Sequence, residues 1–366
     1  MRKVVFRVDS GIHIGMGHVM RCLTLAYEFK SSGWEVIFIT KDHLGFSEEL
    51  ISKNYQVFVI EGGVKHELPP ELKNDYESWL GDNWKNDLEK TNHTLESLGK
   101  VELVVIDNYA LDENYEKLVK AERILVIDDL MNRKHCCDFL LNQNSSSNEK
   151  TYTNLTAQKK SRLFLGPSFS LLRREFSDLR ALNYQQRLQK FKIKNILVFF
   201  GAGDVAGCCQ KVANSLTEKE LTQYRFTFIL NESHPSFKAL LNWTNEQKSV
   251  VKVLSYVENM AQLITEHDFF IGAGGSTSWE RVCLGIPSAI ISVSDNQVQI
   301  SETLVRDGLI HYLGEAHDVD NKQLREFFES VLIQSEVFYK MSQDCFKVTD
   351  GKGASKLVQE ISGAWK

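Results

Sequence analysis

The chain has 366 residues, more than one hydrophobic core usually fills, so two domains are expected. Its 43% apolar and 25% charged residues exclude a disordered or membrane-embedded class. A net charge of −5 argues against nucleic acid or an anionic membrane as partner, yet leaves room for an anionic small ligand at a helix N-terminus.

Strand and helix patterns alternate from the start. Val4–Val8 reads as a buried strand, and a helix follows from about Gly17 to Lys30, with Val19, Cys22, Ala26 and Phe29 on one face. Trp34–Thr40 is the next strand, which makes a βαβ unit and predicts a parallel sheet. Residues 47–54 read as helix and Gln56–Ile60 as a short strand. From 61 to 100 the pattern turns polar, with a helix expected over 84–99. Leu103–Ile106, Ile124–Ile127 and Phe139–Leu141 are strands that end in Asp107-Asn108-Tyr109, Asp128-Asp129 and Asn142-Gln143-Asn144. A helix is expected over Glu113–Lys120 and a serine-rich loop after Asn144. Ligands of open α/β sheets sit beyond the strand carboxyl ends, so these clusters are expected in one crevice.

The alternation restarts after a polar stretch. The expected layout is a first domain at 1–176, a linker at 177–194, a second domain at 195–345 and a final helix within 346–366. Strands are expected at Asn195–Phe200, Phe226–Leu230, Val250–Leu254, Phe269–Gly272 and Ser288–Ser292, and helices at 258–266, 299–307, 321–344 and 354–365. The fold class is thus α/β, with two Rossmann-like domains and parallel sheets. No window holds the roughly 20 apolar residues of a membrane span. The basic start, Met1–Arg7, lacks an apolar run or cleavage site, so a cytoplasmic protein is expected, with a monomer as its simplest state. Seven cysteines, including the adjacent pairs Cys136-Cys137 and Cys208-Cys209, fit free buried thiols.

Chemistry is concentrated at two turns. Arg7-Val8-Asp9 leads through Gly15-Met16-Gly17 to His18 in the first turn of a helix. The helix macrodipole disfavours the imidazolium there, leaving a neutral ring able to accept a proton. Gly15 and Gly17 leave room for a substrate against the backbone. A capping or core histidine is the bland alternative. Methionine stands where a dinucleotide fingerprint has its third glycine, which argues against NAD or FAD. His13, His18 and Cys22 lack a metal-ligand spacing, and Asp318-Val319-Asp320 sits where helix capping is the expected job, so no metal is expected. The second turn, Gly272-Ala273-Gly274-Gly275-Ser276-Thr277-Ser278-Trp279-Glu280, follows a strand and opens a helix. Gly274, Gly275, Ser276 and Thr277 make a candidate diphosphate cradle, and Glu280 a candidate acceptor for ribose hydroxyls. Without a Walker lysine the turn favours a nucleotide-sugar diphosphate over ATP. Gly203 belongs to a weaker loop that reads equally as a phosphate-facing turn or a plain strand-to-helix turn. Asn296 and Gln297 suit sugar hydroxyl or acetamido groups, and Asp9, Asn108 and Tyr109 are strand-end counterparts in the first domain.

Arg7-Val8-Asp9 with Ile14-Gly15-Met16-Gly17-His18-Val19-Met20-Arg21-Cys22 resembles the opening motif of the pseudaminic acid pathway hydrolases, which act on UDP-2,4-diacetamido-2,4,6-trideoxy-β-L-altropyranose. Asp107-Asn108-Tyr109, Ile127-Asp128-Asp129, Leu141–Asn144, Leu171-Leu172-Arg173-Arg174-Glu175-Phe176, Gly274–Arg281 and Asn296-Gln297 resemble that family in the same order. The segment 61–100 and the tail after 314 do not. The resemblance implies a GT-B-like fold related to the MurG-type glycosyltransferases, with two domains facing across a cleft. It implies a UDP-sugar as the small-molecule partner and no cofactor or metal. Water would attack the anomeric carbon with inversion, His18 would be the base, Glu280 the ribose ligand and Arg173 part of the substrate site. A glycosyltransferase and a non-catalytic nucleotide-sugar-binding protein are the alternatives.

Overall fold

The structure is a computed structural model. It describes residues 1–365 apart from 47, 70, 71, 73, 74, 157–159, 190, 191, 202, 205, 248, 249 and 276; the side chains at 188, 189 and 296 also fall outside the description. The chain forms two compact units, one of residues 1–172 with 352–366 and one of 173–351.

In the first unit seven strands are β1 (Lys3–Val8), β2 (Glu35–Lys41), β3 (Gln56–Ile60), β4 (Leu103–Asp107), β5 (Arg123–Ile127), β6 (Phe139–Asn142) and β7 (Arg162–Leu165). They pair in the order β3-β2-β1-β4-β5-β6-β7, all parallel. The strand period of two splits the core. Val4, Phe6 and Val8 pack on one face with Val19, Cys22, Leu25, Ala26 and Phe29 of the helix Gly17–Ser31. Val5 packs on the other with Ile37, Val104 and Val126. The order of strands reverses between β1 and β4, and Val8 lies in register with Asp107. The loop carrying His18 therefore leaves the sheet at a topological switch point, where open α/β sheets bind ligands.

The second unit repeats the plan with β8 (Asn195–Phe199), β9 (Arg225–Ile229), β10 (Val251–Leu254), β11 (Phe269–Ala273), β12 (Ser288–Ser292) and β13 (His311–Glu315). Their order is β10-β9-β8-β11-β12-β13, again all parallel. The switch point falls between β8 and β11, and the Gly203 and Gly274 turns follow those two strands.

Several expectations need correcting. The stretch read as a linker is mostly the helix Arg174–Gln189, within the second unit. It carries no strong apolar stripe. Polar anchors hold it instead: Asn183 Nδ2 donates to Thr265 Oγ1 at 2.7 Å, Arg187 to His267 O at 2.9 Å and Arg180 Nε to Thr349 O at 3.0 Å. The final helix, Gly353–Gly363, belongs to the first unit, because Ala354, Leu357, Val358 and Ile361 complete the core against the helix Gly17–Ser31. The helix begun at Glu113 ends at Glu116, and the 321–344 stretch divides at Phe327–Val331, a π-helical turn. The serine-rich loop leads into the helix Glu149–Leu155, capped by Asn148 accepting from Thr151 N. All seven cysteines are free. No helix among the described residues is long and apolar enough to cross a membrane.

Candidate active site

His18 sits in the first turn of the helix Gly17–Ser31, its side chain 11% exposed. The preceding turn closes through Gly15 N donating to Gly11 O at 2.8 Å. Gly15 adopts φ +79°, which disfavours a side chain, and the space beside it is open. His18 Nδ1 donates to Asp107 Oδ1 at 2.7 Å. That bond assigns the proton to Nδ1 and leaves Nε2 as the nitrogen able to accept one. Arg21, one helical turn on, grips the same carboxylate: Nε reaches Oδ2 and Nη2 reaches Oδ1, both at 2.6 Å. Its remaining Nη1 donates to Asp129 Oδ2 at 2.5 Å. Burial by itself would raise the Asp107 carboxyl, but Arg21 and then His18 hold it far below the usual carboxylate range. Tyr109 stands edge-on to the His18 ring at 4.6 Å and donates its hydroxyl to Asp129 at 2.6 Å. Burial and the Asp129 charge keep that phenol protonated.

A second buried layer adjoins the first. Arg7 alternates with Val8 onto the far face of β1, where Nε and Nη2 clasp Asp87 at 3.1 and 2.6 Å and Nη1 meets Asp9 at 2.6 Å. Asp9 also accepts from Lys41 N at 2.7 Å and Asn108 Nδ2 at 2.8 Å. Asp9 is 2% and Asn108 7% exposed, so both brace the strand ends from within.

In the second unit the Gly274 turn is tied down by one amide. Gln297 Oε1 accepts from Gly274 N at 3.1 Å and Val293 N at 3.2 Å. A Cβ on Gly274 would come within 2.6 Å of Ser301 Oγ, whereas Gly275 has room. Thr277 opens the helix Thr277–Cys283, and buried Arg281 donates to Ala273 O at 2.9 Å and Thr277 Oγ1 at 3.3 Å. Glu280 lies 3.9 Å from Arg173, which pairs with Glu175 at 3.1 Å. Burial raises the Glu280 carboxyl to about 7, against the pull of Arg173 and Arg281. Ser276 and the Asn296 side chain, both expected site groups, lie outside the described residues. Beyond the ends of the neighbouring strands β12 and β13, Ser292–Asp295, Glu315–His317, Ala206 and Lys211 line an open cleft of about 320 Å³.

The turn at Gly203 takes a simpler shape. Asp204, at φ +32°, accepts from Cys208 N at 2.9 Å and Cys209 N at 2.8 Å, so its own carboxylate occupies the helix N-terminus. Asp320 caps the helix Asn321–Glu326 by accepting from Gln323 N at 2.8 Å. Among the described residues one group, Glu315, His317 and Asp318, brings three possible metal donors within 4.8 Å of one another, with His317 and Asp318 exposed.

The structure thus gathers His18, Asp9, Gly15, Gly17, Asn108 and Tyr109 at the switch point of one sheet. It gathers Gly274, Gly275, Thr277, Glu280, Arg173 and Gln297 at that of the other. Sequence reasoning missed Asp107 and Arg21 as partners of the imidazole. Their signals were present: Asp107 ends a central strand, and Arg21 is three residues beyond His18 on one helix.

No family model matches the chain. An uncharacterised protein of Methanocaldococcus jannaschii is 26% identical over 81% of this chain, which spans just over half (56%) of that protein. A UDP-2,4-diacetamido-2,4,6-trideoxy-beta-L-altropyranose hydrolase of Campylobacter jejuni is 26% identical over 84% of this chain and 97% of its own. Among solved structures, MurG of Acinetobacter baumannii superposes with a TM-score of 0.68 at 15% identity, covering 99% of this chain and 100% of that one. The fold is GT-B-like. At such identity the likeness to MurG speaks for the fold, and the chemistry has to be argued from the two turns.

Proposed function

We propose that the protein is an enzyme acting on a UDP-sugar, and that it hydrolyses the bond between the anomeric carbon and the diphosphate. The observation that carries this reading is the Asp107-held imidazole of His18, with Nδ1 committed and Nε2 left to accept a proton. The similarity to the C. jejuni hydrolase over most of both chains supports the same substrate class.

In this reading the second unit holds UDP. The Gly274 N–H is taken by Gln297, so the Gly275 amide and the start of the helix Thr277–Cys283 would face the diphosphate, and Glu280 would accept from the ribose hydroxyls. The first unit supplies His18. Its Nε2 takes a proton from water as the water oxygen bonds to the anomeric carbon and the bond to the diphosphate oxygen breaks. The configuration inverts, UDP departs with the bonding pair, and the imidazolium, stabilised by Asp107, returns its proton to solvent. No step calls on a metal or cofactor.

Transfer to an acceptor hydroxyl is the second reading, since an imidazole base on a GT-B-like fold would serve it equally well. Incubation with the UDP-sugar and no acceptor separates the two. Equal amounts of UDP and free sugar, with label from ¹⁸O-water on the sugar, are expected for hydrolysis. Turnover that waits for an added acceptor would sink it.

A further inference from the structure

The polar 61–100 segment contributes more than a loop. Its short helix Tyr76–Trp79 sets two rings against Tyr109, the tyrosine beside His18. Ring centroids lie 5.0 Å apart for Tyr76–Tyr109, 6.1 Å for Trp79–Tyr109 and 4.8 Å for Tyr76–Trp79. Both added rings are only partly buried, while Tyr109 beneath them is 8% exposed. The polar groups around Tyr109 pair with one another and fix its ring. Asp129 accepts the Tyr109 hydroxyl and an Asn144 amide, and Arg133 lies over the Tyr109 ring at 5.8 Å.

The rings are held firmly. His13 Nε2, from the turn before His18, donates to Trp79 O at 3.2 Å. Lys41, whose ammonium is buried 3.2 Å from Asp87, donates to Leu80 O at 2.8 Å. A buried ammonium is costly, so the Arg7–Asp9–Asp87–Lys41 cluster fixes this backbone at the expense of easier packing. Gly81, at φ +73°, closes the segment where a Cβ would come within 2.7 Å of Val64 N. Rigid aromatic faces with a few polar groups at their edge are the usual lining of a small-molecule site.

We propose that Tyr76 and Trp79, with Tyr109, form the wall that receives the sugar of the nucleotide sugar. The apolar face or N-acyl methyl groups of a pyranose would pack on the two partly exposed rings, Tyr76 and Trp79, with buried Tyr109 as their backing. The wall thereby selects which sugar is accepted. This rests on the UDP-sugar reading above.

The test compares Trp79→Ala and Tyr76→Ala with wild type, using UDP alone and UDP-2,4-diacetamido-2,4,6-trideoxy-β-L-altropyranose as probes in steady-state kinetics and in calorimetry, the UDP-sugar titrations being made in a His18→Asn background so that it is not consumed. Each variant is expected to raise KM and Kd for the UDP-sugar about tenfold, to leave the Kd of UDP within about twofold, and to change kcat less than KM. Trp79→Phe, which keeps a ring, is expected to recover most of the affinity. Trp79→Leu, which keeps apolar bulk without a ring, stands in if the alanine variant fails to fold and is expected to lose affinity for the UDP-sugar alone. Unchanged UDP-sugar affinity in the folded variants, or an equal loss for UDP, overturns the wall while leaving hydrolysis intact. A wild-type protein that neither binds nor cleaves the UDP-sugar overturns the functional reading and the wall with it.

Discussion

Around His18 in the first unit the side chains are charged and mostly buried: Asp107 and Arg21 with partly exposed Asp129 in one layer, Arg7, Asp9, Asp87 and Lys41 in another. Around Gly274 in the second unit they are small or neutral, and the turn is held by the amide of Gln297. Charge enters there through Glu280, Arg281, Arg173 and Glu175. The contrast matches two kinds of task. Moving a proton needs an imidazole whose tautomer and orientation are fixed, and buried ion pairs fix them. Holding an anion needs backbone N–H groups and space, which glycine supplies. The first design is sensitive to single charge deletions and the second to changes in shape.

The sharpest way to break the contrast is at His18. Replacing it with alanine or asparagine is expected to lower kcat by at least about a hundredfold, the usual worth of a positioned base. UDP affinity, assigned to the other unit, should stay as it is. Stopped assays of UDP release, with calorimetry of UDP binding, check both halves. Near-normal turnover would remove the imidazole from the chemistry.

Asp107→Asn comes next. It keeps the shape but takes away the acceptor that sets the His18 proton and the charge that Arg21 clasps. A loss of roughly ten- to hundredfold in kcat is expected. Deleting one partner of a buried ion pair also costs about 3–5 kcal/mol of stability. Asp129 still engages Arg21, which places the cost at the lower end. The sign with pH follows from the depressed carboxyl. Its stabilising share is full above the ordinary aspartate pKa and is lost as pH falls through the folded value, so the wild-type advantage over Asp107→Asn shrinks in acid. Thermal melts of both proteins across acid pH measure it, and parallel curves would deny Asp107 its buried charge.

These two residues also show where sequence reading succeeds and stops. The apolar periods of β1 and the helix Gly17–Ser31 placed His18 at a strand-to-helix corner, because burial on both sides of a parallel sheet leaves a strong pattern. The Gly274 turn was legible for the same reason, lying between the apolar β11 and a helix. What was hidden depends on pairing across the chain. Arg7 finds Asp87 eighty residues away, and His18 finds Asp107 across eighty-nine, and no local period records either. The helix Arg174–Gln189 was missed because backbone carbonyls and polar side chains, not an apolar face, dock it. Asp9 looked like a ligand for substrate from its place at a strand end, yet that place also suits a carboxylate bracing Arg7 and Lys41 N. Gly203 read equally as part of a phosphate-facing loop or of a plain turn, and the Asp204 carboxylate at the helix terminus beside it fits the plain turn.

The smallest expected effect tests the second unit through Glu280, whose carboxyl burial raises. Burial raises Glu280 to about 7, so near neutrality the folded protein holds it partly protonated. A carboxylate accepts from two ribose hydroxyls, whereas the acid must spend one oxygen as a donor. Binding of a UDP-sugar, whose diphosphate does not titrate near pH 7, should therefore tighten as pH rises from 6 to 8, by roughly three- to tenfold at about one charge-assisted hydrogen bond. Glu280→Gln should bind more weakly and show no such slope. The opposite slope holds for stability: the folded state carries the extra proton between about 4.5 and 7, so ionising Glu280 makes the wild-type fold less stable as pH rises through that window. Calorimetric titration with the UDP-sugar at pH 6, 7 and 8, on both proteins in a His18→Asn background, reads the binding slope. A slope that survives in Glu280→Gln would assign the titration to another group and remove Glu280 as the titrating ribose acceptor.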